Sequence, residues 1–338
     1  MSFQLDNTTV SSLPTNDFIP TIPKSRMVIF NFLIVLLVPS ILCSIYLFYR
    51  ILRTPEVRRR DTNLFIICII TINFIQATAE LPLSLAFLRL NFAAVASPMF
   101  CQWWCFMSAS LIGMGLWTTA IGSIERHLFI FHSAFLNNHK LVLHYLPLTC
   151  CFVLPVLFYI FLVFLFPCTN EFFYFIFWCG APCYMYIPFW QVLSWLVDHG
   201  TPMLILVIAN VVLTIRILRH KRRMQQTQLW SKNARMFFQL ISVASLYAIC
   251  WMPFLVSGQI NSFTKMQSPT SLMLFLEYFV YLPYLTTTLC PFVCLFGLWR
   301  DLHRGQGFMI VIFHRNRISV EPIVTLKATR RITTVNRK

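Results

Sequence analysis

Charge is what this sequence lacks most. Only 11% of its 338 residues are Asp, Glu, Lys or Arg, against about 25% in an ordinary soluble domain. Acids are the scarcer kind, 11 against 27 Lys and Arg, and glycine falls to 9. Too few polar side chains remain to cover an aqueous surface around one core. Other absences remove classes of activity. No HExxH, GxSxG or P-loop pattern occurs, so nothing marks a zinc protease, a serine hydrolase or a phosphate-binding enzyme. The 12 Cys include no CxxC pair, which argues against a zinc site, and they are too scattered for a small disulfide scaffold. No metal or cofactor is expected. Neither an internal repeat nor a second soluble domain is visible.

What is present is apolar: 58% hydrophobic and 16% aromatic, with a mean hydropathy of +0.70. About 20 apolar residues cross the hydrocarbon of a bilayer as a helix. Seven stretches meet that length: 28–49, 63–88, 98–124, 141–166, 189–215, 236–260 and 272–299. The first is too long for a signal-peptide core and lacks a small-residue cleavage site, so it is expected to remain. Pro39, Pro82, Pro155, Pro202, Pro253 and Pro291 lie inside these stretches. They would break soluble helices but are tolerated in packed membrane ones.

Basic residues set the orientation. All but Lys24, Arg26, Arg89 and Lys265 fall on one side, in the first and second short loops, between Arg216 and Arg235, and from Arg300 onward. That side is expected to be cytoplasmic, with the N-terminus outside. The net charge of +16 is then a topology signal facing anionic membrane lipids, with no need of nucleic acid. Asn7-Thr8-Thr9 is a glycosylation sequon on the expected outer side. The divisions expected are an extracellular arm over 1–26, a seven-span domain over 27–300 and a cytoplasmic tail over 301–338.

The chain has no Lys, Arg, Asp or Glu from Leu90 to Ile124, and the third stretch then meets Glu125-Arg126-His127. A helix end with Arg reaching for the headgroups is the plain reading. Glu125 adds a partner, so the two could form a breakable ionic contact. With Cys101 at the other end of the stretch and Ile130 four residues past Arg126, the pattern resembles the rhodopsin-like G protein-coupled receptors. Their third helix begins with a disulfide Cys and ends in an acid-Arg-aromatic triplet followed by a hydrophobic residue. Cys250-Trp251-Met252-Pro253 is similar to the family's Cys-Trp-x-Pro in the sixth helix. There a Pro removes a backbone hydrogen bond and bends the helix.

The resemblance implies an all-α seven-helix membrane bundle with a short amphipathic cytoplasmic helix after the seventh span. It implies a plasma-membrane receptor, not an enzyme, that binds an extracellular small molecule or peptide and activates heterotrimeric G proteins. Glu125, Arg126, His127 and Ile130 would form the coupling switch; Trp251, Pro253, Pro291 and Asn73 would take part in activation. Cys101 would pair with Cys183, the last Cys before the fifth helix, with Cys179 the alternative in a loop that also holds Cys168. Several positions depart from the family pattern: His127 for Tyr, Asn73 for Asp, Asn210 for Tyr, and Cys290-Pro-Phe-Val-Cys294 for Asn-Pro-x-x-Tyr. Asn73 puts the family's sodium site in doubt. Asn233, beside Lys232 and Arg235, stands where a second acid usually restrains Arg126, which predicts a weak restraint and basal activity.

Acids inside apolar spans usually face a cavity or a partner. Glu80, Asp198 and Glu277 lie toward the outer halves of their stretches. With Gln76, Trp103, Ser108, Trp195, His199, Phe254, Gln259, Tyr281 and Tyr284 they could line an outward cup. Three acids and few bases favour a cationic ligand, unless Glu80 and Glu277 are merely solvated near the headgroups. Ser108 replaces the Asp of amine receptors, and no Lys lies within a stretch to bind retinal. A multi-span transporter or channel is the alternative, but paired broken helices and midplane charges are not apparent.

Overall fold

A computed structural model describes residues 24–58, 61–223, 227–263 and 274–298. The apolar stretches are helices: α1 (Lys24–Arg53), α2 (Asn63–Leu90), α3 (Pro98–Phe131), α4 (Leu141–Leu165), α5 (Pro188–Arg219), α6 (Ile241–Ile260) and α7 (Leu274–Leu298). The α6 span belongs to a longer helix, Thr227–Phe263. No strand occurs among the described residues. The chain is thus an all-α seven-helix membrane protein. The sequon at Asn7, the helix expected after Trp299, the tail and the Asn233 side chain lie outside the described residues.

α3 is the central helix, packed against α2, α4, α5 and α6. Its buried face is built from small residues, among them Ser108, Gly113, Gly115, Thr119, Gly122 and Ser123, which let neighbouring backbones approach closely. Around it, large apolar side chains point outward: Val35 on α1 is 68% exposed and Leu154 on α4 60%. Such a surface belongs in lipid, where exposed hydrocarbon costs nothing. α3 also continues beyond the expected end at Ile124, because Leu128 to Phe131 extend its apolar run. Glu125 and Arg126 therefore sit inside the helix and are buried.

Four wide π turns occur among the described residues, one of them Phe161–Leu165 at the end of α4; the other three, Gln76–Glu80 in α2, Leu141–Tyr145 in α4 and Leu196–Gly200 in α5, share two features. Each ends two residues before a proline, at Pro82, Pro147 and Pro202. A proline ring has no N–H and crowds the carbonyl four residues earlier, and widening the turn relieves that clash. Each turn also carries a buried ionisable side chain: Glu80, His144 and Asp198.

The loop over residues 166–187 corrects the expected disulfide. Cys101 is joined to Cys179, with Cα atoms 5.9 Å apart, and Cys183 is joined to Cys168. The reason lies in a tight left-handed turn over Trp178, Cys179, Gly180 and Ala181, all at positive φ. It turns Cys179 down onto the start of α3, where both Cys are fully buried. Cys183 lies beyond the turn, where its backbone N–H donates to Asn170 Oδ1 at 2.8 Å, and it closes the smaller loop. The two bridges span 78 and 15 residues. Longer closures restrain the unfolded chain more, by about 4–5 against about 3 kcal/mol. Cys179→Ser is therefore expected to lower the thermal stability of the solubilised protein more than Cys183→Ser, as read by a melting assay.

Candidate functional site

Beneath the stapled loop lies a cavity of about 80 Å³. Its walls come from α3 (Cys105, Ser108, Ala109, Ile112), α4 (Tyr159), α5 (Ser194, Trp195, His199) and α6 (Phe254). Trp178, Ala181, Pro182, Tyr184 and Met185 of the loop form the roof. Cys105 Sγ donates to the Trp178 carbonyl at 3.1 Å and ties roof to wall. Burial raises the Tyr184 phenol above its ordinary pKa, so the roof presents a neutral hydroxyl. Trp195 stacks on His199 and Phe254 at 5.1 and 5.2 Å between centroids. Trp251 lies one layer deeper, edge-on to Phe254 at 5.7 Å.

Of the expected ligand residues, Ser108, Trp195, His199 and Phe254 reach this cavity. The acids do not line it, and each has protein partners. Glu80 is fully buried and accepts from Ser84 at 3.1 Å and Ser108 at 3.0 Å, with a further short bond from the Tyr284 hydroxyl. Asp198 Oδ2 accepts from Tyr159 Oη at 2.6 Å. Glu277 pairs with Arg26 at 2.7 Å and accepts from Ser25, joining the first turns of α7 and α1. Gln76 accepts from Thr287 at 2.9 Å. Tyr281 packs on Phe177 at 5.1 Å, Tyr284 is spent on Glu80, and Gln259 is not among the cavity-lining residues. Trp103 is half-exposed on the outside of α3. Two polar atoms of lining residues are buried without a hydrogen-bond partner, His199 Nδ1 in the wall and Trp178 Nε1 in the roof, and the former lies 3.8 Å from Asp198 Oδ2.

Sequence reading missed Tyr159, Trp178 and Tyr184. Tyr159 lies in a stretch of α4 with no charge to draw attention, and the loop residues acquire their place only through the disulfides. Two glycines shape the walls. A Cβ at Gly113 would meet the Asp198 carboxylate, and one at Gly258 the Trp195 ring.

At the core of the bundle, Asn73 Nδ2 donates to Tyr247 Oη at 3.1 Å and to the Ile69 carbonyl at 2.8 Å. This bond ties α2 to α6 one turn inside Trp251 and Pro253. A Cβ at Gly115 would lie 3.6 Å from that hydroxyl, an ordinary van der Waals contact. On α7, Cys290 and Cys294 are buried with their sulfurs 3.8 Å apart, flanking Pro291. Asn210 donates to Ser123 at 3.0 Å, linking α5 to α3.

At the end of the bundle away from the disulfides, the Glu125 carboxylate makes a short contact with His144 Nδ1 on the first π turn of α4. Both groups are buried, as is Arg126. His127 turns the other way: its Nε2 lies 3.1 Å from Arg216 Nη1 on α5, and Arg216 also covers the Phe131 ring at 5.4 Å. Ile130 is exposed at the same face. The unusual third residue of the triplet thus has a partner, which links α3 to α5.

A family model described as 7 transmembrane receptor (rhodopsin family) matches residues 43–293. No curated protein matches the chain significantly.

Proposed function

The chain belongs to the rhodopsin family of seven-transmembrane receptors, and from that membership we propose that it is a plasma-membrane receptor that turns an outside ligand into G protein activation. The N-terminal arm (1–26) and the stapled loop face outward; the basic loops and the tail (301–338) face the cytoplasm. The observation that carries this reading is α3. One unbroken helix holds the disulfide Cys101, the cavity residue Ser108 and the buried Glu125-Arg126 pair.

The ligand class is neutral and largely apolar, in place of the cation suggested by counting acids. No acid lines the cavity, and Glu80, Asp198 and Glu277 are turned to hydroxyl or guanidinium groups of the protein, so no carboxylate meets a cation there. Aromatic walls and His199 Nδ1 suit a small aromatic body with one polar group. Ligand and G protein both act by preferring one packing of the bundle over another. In the resting packing Asn73 holds Tyr247, and His144 holds Glu125. In the active one α6 swings about Pro253 and Arg126 meets the G protein, with His127, Ile130 and Arg216 around it.

A screen of neutral aromatic compounds on cells with promiscuous G proteins tests the ligand class. Responses are expected that Trp195→Ala weakens. Responses confined to amines or basic peptides would refute it. Removal of a glycan that Asn7→Gln abolishes, on intact cells, checks the orientation.

A further inference from the structure

Two thiols meet on α7. Cys290 and Cys294 are four residues apart, a spacing that puts both on one face of a helix. Their sulfurs lie 3.8 Å apart. Both side chains are fully buried, and neither is in a disulfide. A disulfide between them does not suit the helix. It needs Cβ atoms about 3.5–4.5 Å apart, whereas Cβ atoms one turn apart are about 5–6 Å from each other.

One soft metal ion does suit the pair. Thiolate sulfur binds a metal at about 2.3 Å, so a single ion reaches two sulfurs up to about 4.6 Å apart. Zinc in a structural site takes four ligands. Among the described residues no group of three His, Cys, Asp or Glu is placed to hold a metal. Copper(I) is a soft ion that thiolates select, and two of them satisfy it.

The surroundings match the charge of such a complex. Two thiolates around Cu(I) carry one net negative charge, which an apolar core tolerates only beside a partner. Cys294 lies within electrostatic reach of the buried Arg126 guanidinium on α3. Cys43 of α1 and Tyr247 of α6 are near the same two sulfurs. Cys294 stands one turn from Leu298 at the end of α7, so an ion has a short path to it.

We propose that Cys290 and Cys294 form a binding site for Cu(I), held as a two-thiolate complex beside Arg126. Each thiol gives up one proton as its sulfur bonds the ion, so two protons leave and no electron moves. The bridge spans Pro291, which has no N–H to complete the helix ladder. Joining the two flanks would stiffen α7 at that point, and the complex would hold Arg126 by its charge. The resting packing would gain from both. That effect on signalling rests on the receptor reading; the binding itself does not.

The test uses purified full-length protein in detergent under nitrogen. Ascorbate keeps copper as Cu(I), and bicinchoninate serves as the coloured competing chelator. Wild type is expected to withdraw one more Cu(I) per chain than the double variant Cys290→Ser, Cys294→Ser. Either serine alone should weaken that uptake roughly hundredfold, since changes even outside the ligand shell cost about 10–100-fold. Cys150→Ser, which removes a thiol on α4, should leave it unchanged. X-ray absorption of wild type with one equivalent of copper should show two sulfurs around the ion, a readout that needs no variant to fold. No withdrawal by wild type would overturn the proposal, as would a first shell of nitrogen or oxygen. Uptake indifferent to both serines in protein of normal melting temperature would show adventitious thiols only, and would overturn it too. None of these outcomes depends on G protein coupling.

Discussion

Ligand-independent G protein activation is expected to rise when Tyr247 is replaced by Phe. The tyrosine hydroxyl is the α6 end of the bond from Asn73 on α2, and it lies inside the Pro253 hinge. Outward movement of the inner part of α6 would have to break it. A neutral hydrogen bond contributes a net of about 0.5–1.5 kcal/mol. Its loss should therefore shift the balance toward the active packing by a factor of about two to about ten. Phe fills nearly the same volume, so the core should stay packed. Asn73→Ala should act in the same direction. Because both changes remove one bond, the double variant should be little more active than either alone. Unchanged basal signalling in Tyr247→Phe, at matched surface expression, would remove the bond from the mechanism.

A larger loss of stability is expected for Gly113→Ala. The added methyl would occupy the place of Asp198 Oδ1, while Oδ2 is held by Tyr159. Overpacking a well-filled core costs about 1–3 kcal/mol. If Asp198 yields, the Tyr159 hydroxyl is left buried and unpaired at a further cost of about 1–3 kcal/mol. Little receptor should reach the surface, and the solubilised protein should melt at a lower temperature. Removing both polar partners is far less costly than removing one. Gly113→Ala combined with Asp198→Ala and Tyr159→Phe should therefore recover much of the loss. A triple variant as unstable as Gly113→Ala alone would show that the glycine is needed for another reason.

The helices were legible because charge is excluded from hydrocarbon: gaps between charged residues mark the seven spans, and basic residues mark one side. Glu125 and Arg126 stood out for the same reason, as charges at the end of a long uncharged run. Their surroundings were not legible. His144 is 19 residues from Glu125, and nothing local signals that it will receive that carboxylate. The same holds for Glu80, whose hydroxyl donors come from α2, α3 and α7. An acid in a span indicates that a partner is needed but not whether ligand or protein supplies it. Here the protein supplies it, which moves the ligand reading from cationic to neutral. One pattern was readable and missed. Glu80, His144 and Asp198 each precede a proline by two to four residues, which marks both the widened turn and the buried group. The disulfide was beyond sequence spacing, since the choice between Cys179 and Cys183 depends on a left-handed turn.

The most direct measurement is G protein activation by wild type and by Arg126→Ala, in cells with promiscuous G proteins and equal amounts of receptor at the surface. Arg126 is buried at the inner end of the helix that also forms the cavity wall. Wild type should activate G protein above mock-transfected cells, at rest or with ligand, and Arg126→Ala should abolish that signal while still reaching the surface. An Arg126→Ala receptor that signals as wild type does, or a wild type that carries ionic current or substrate flux in place of G protein activation, would contradict it.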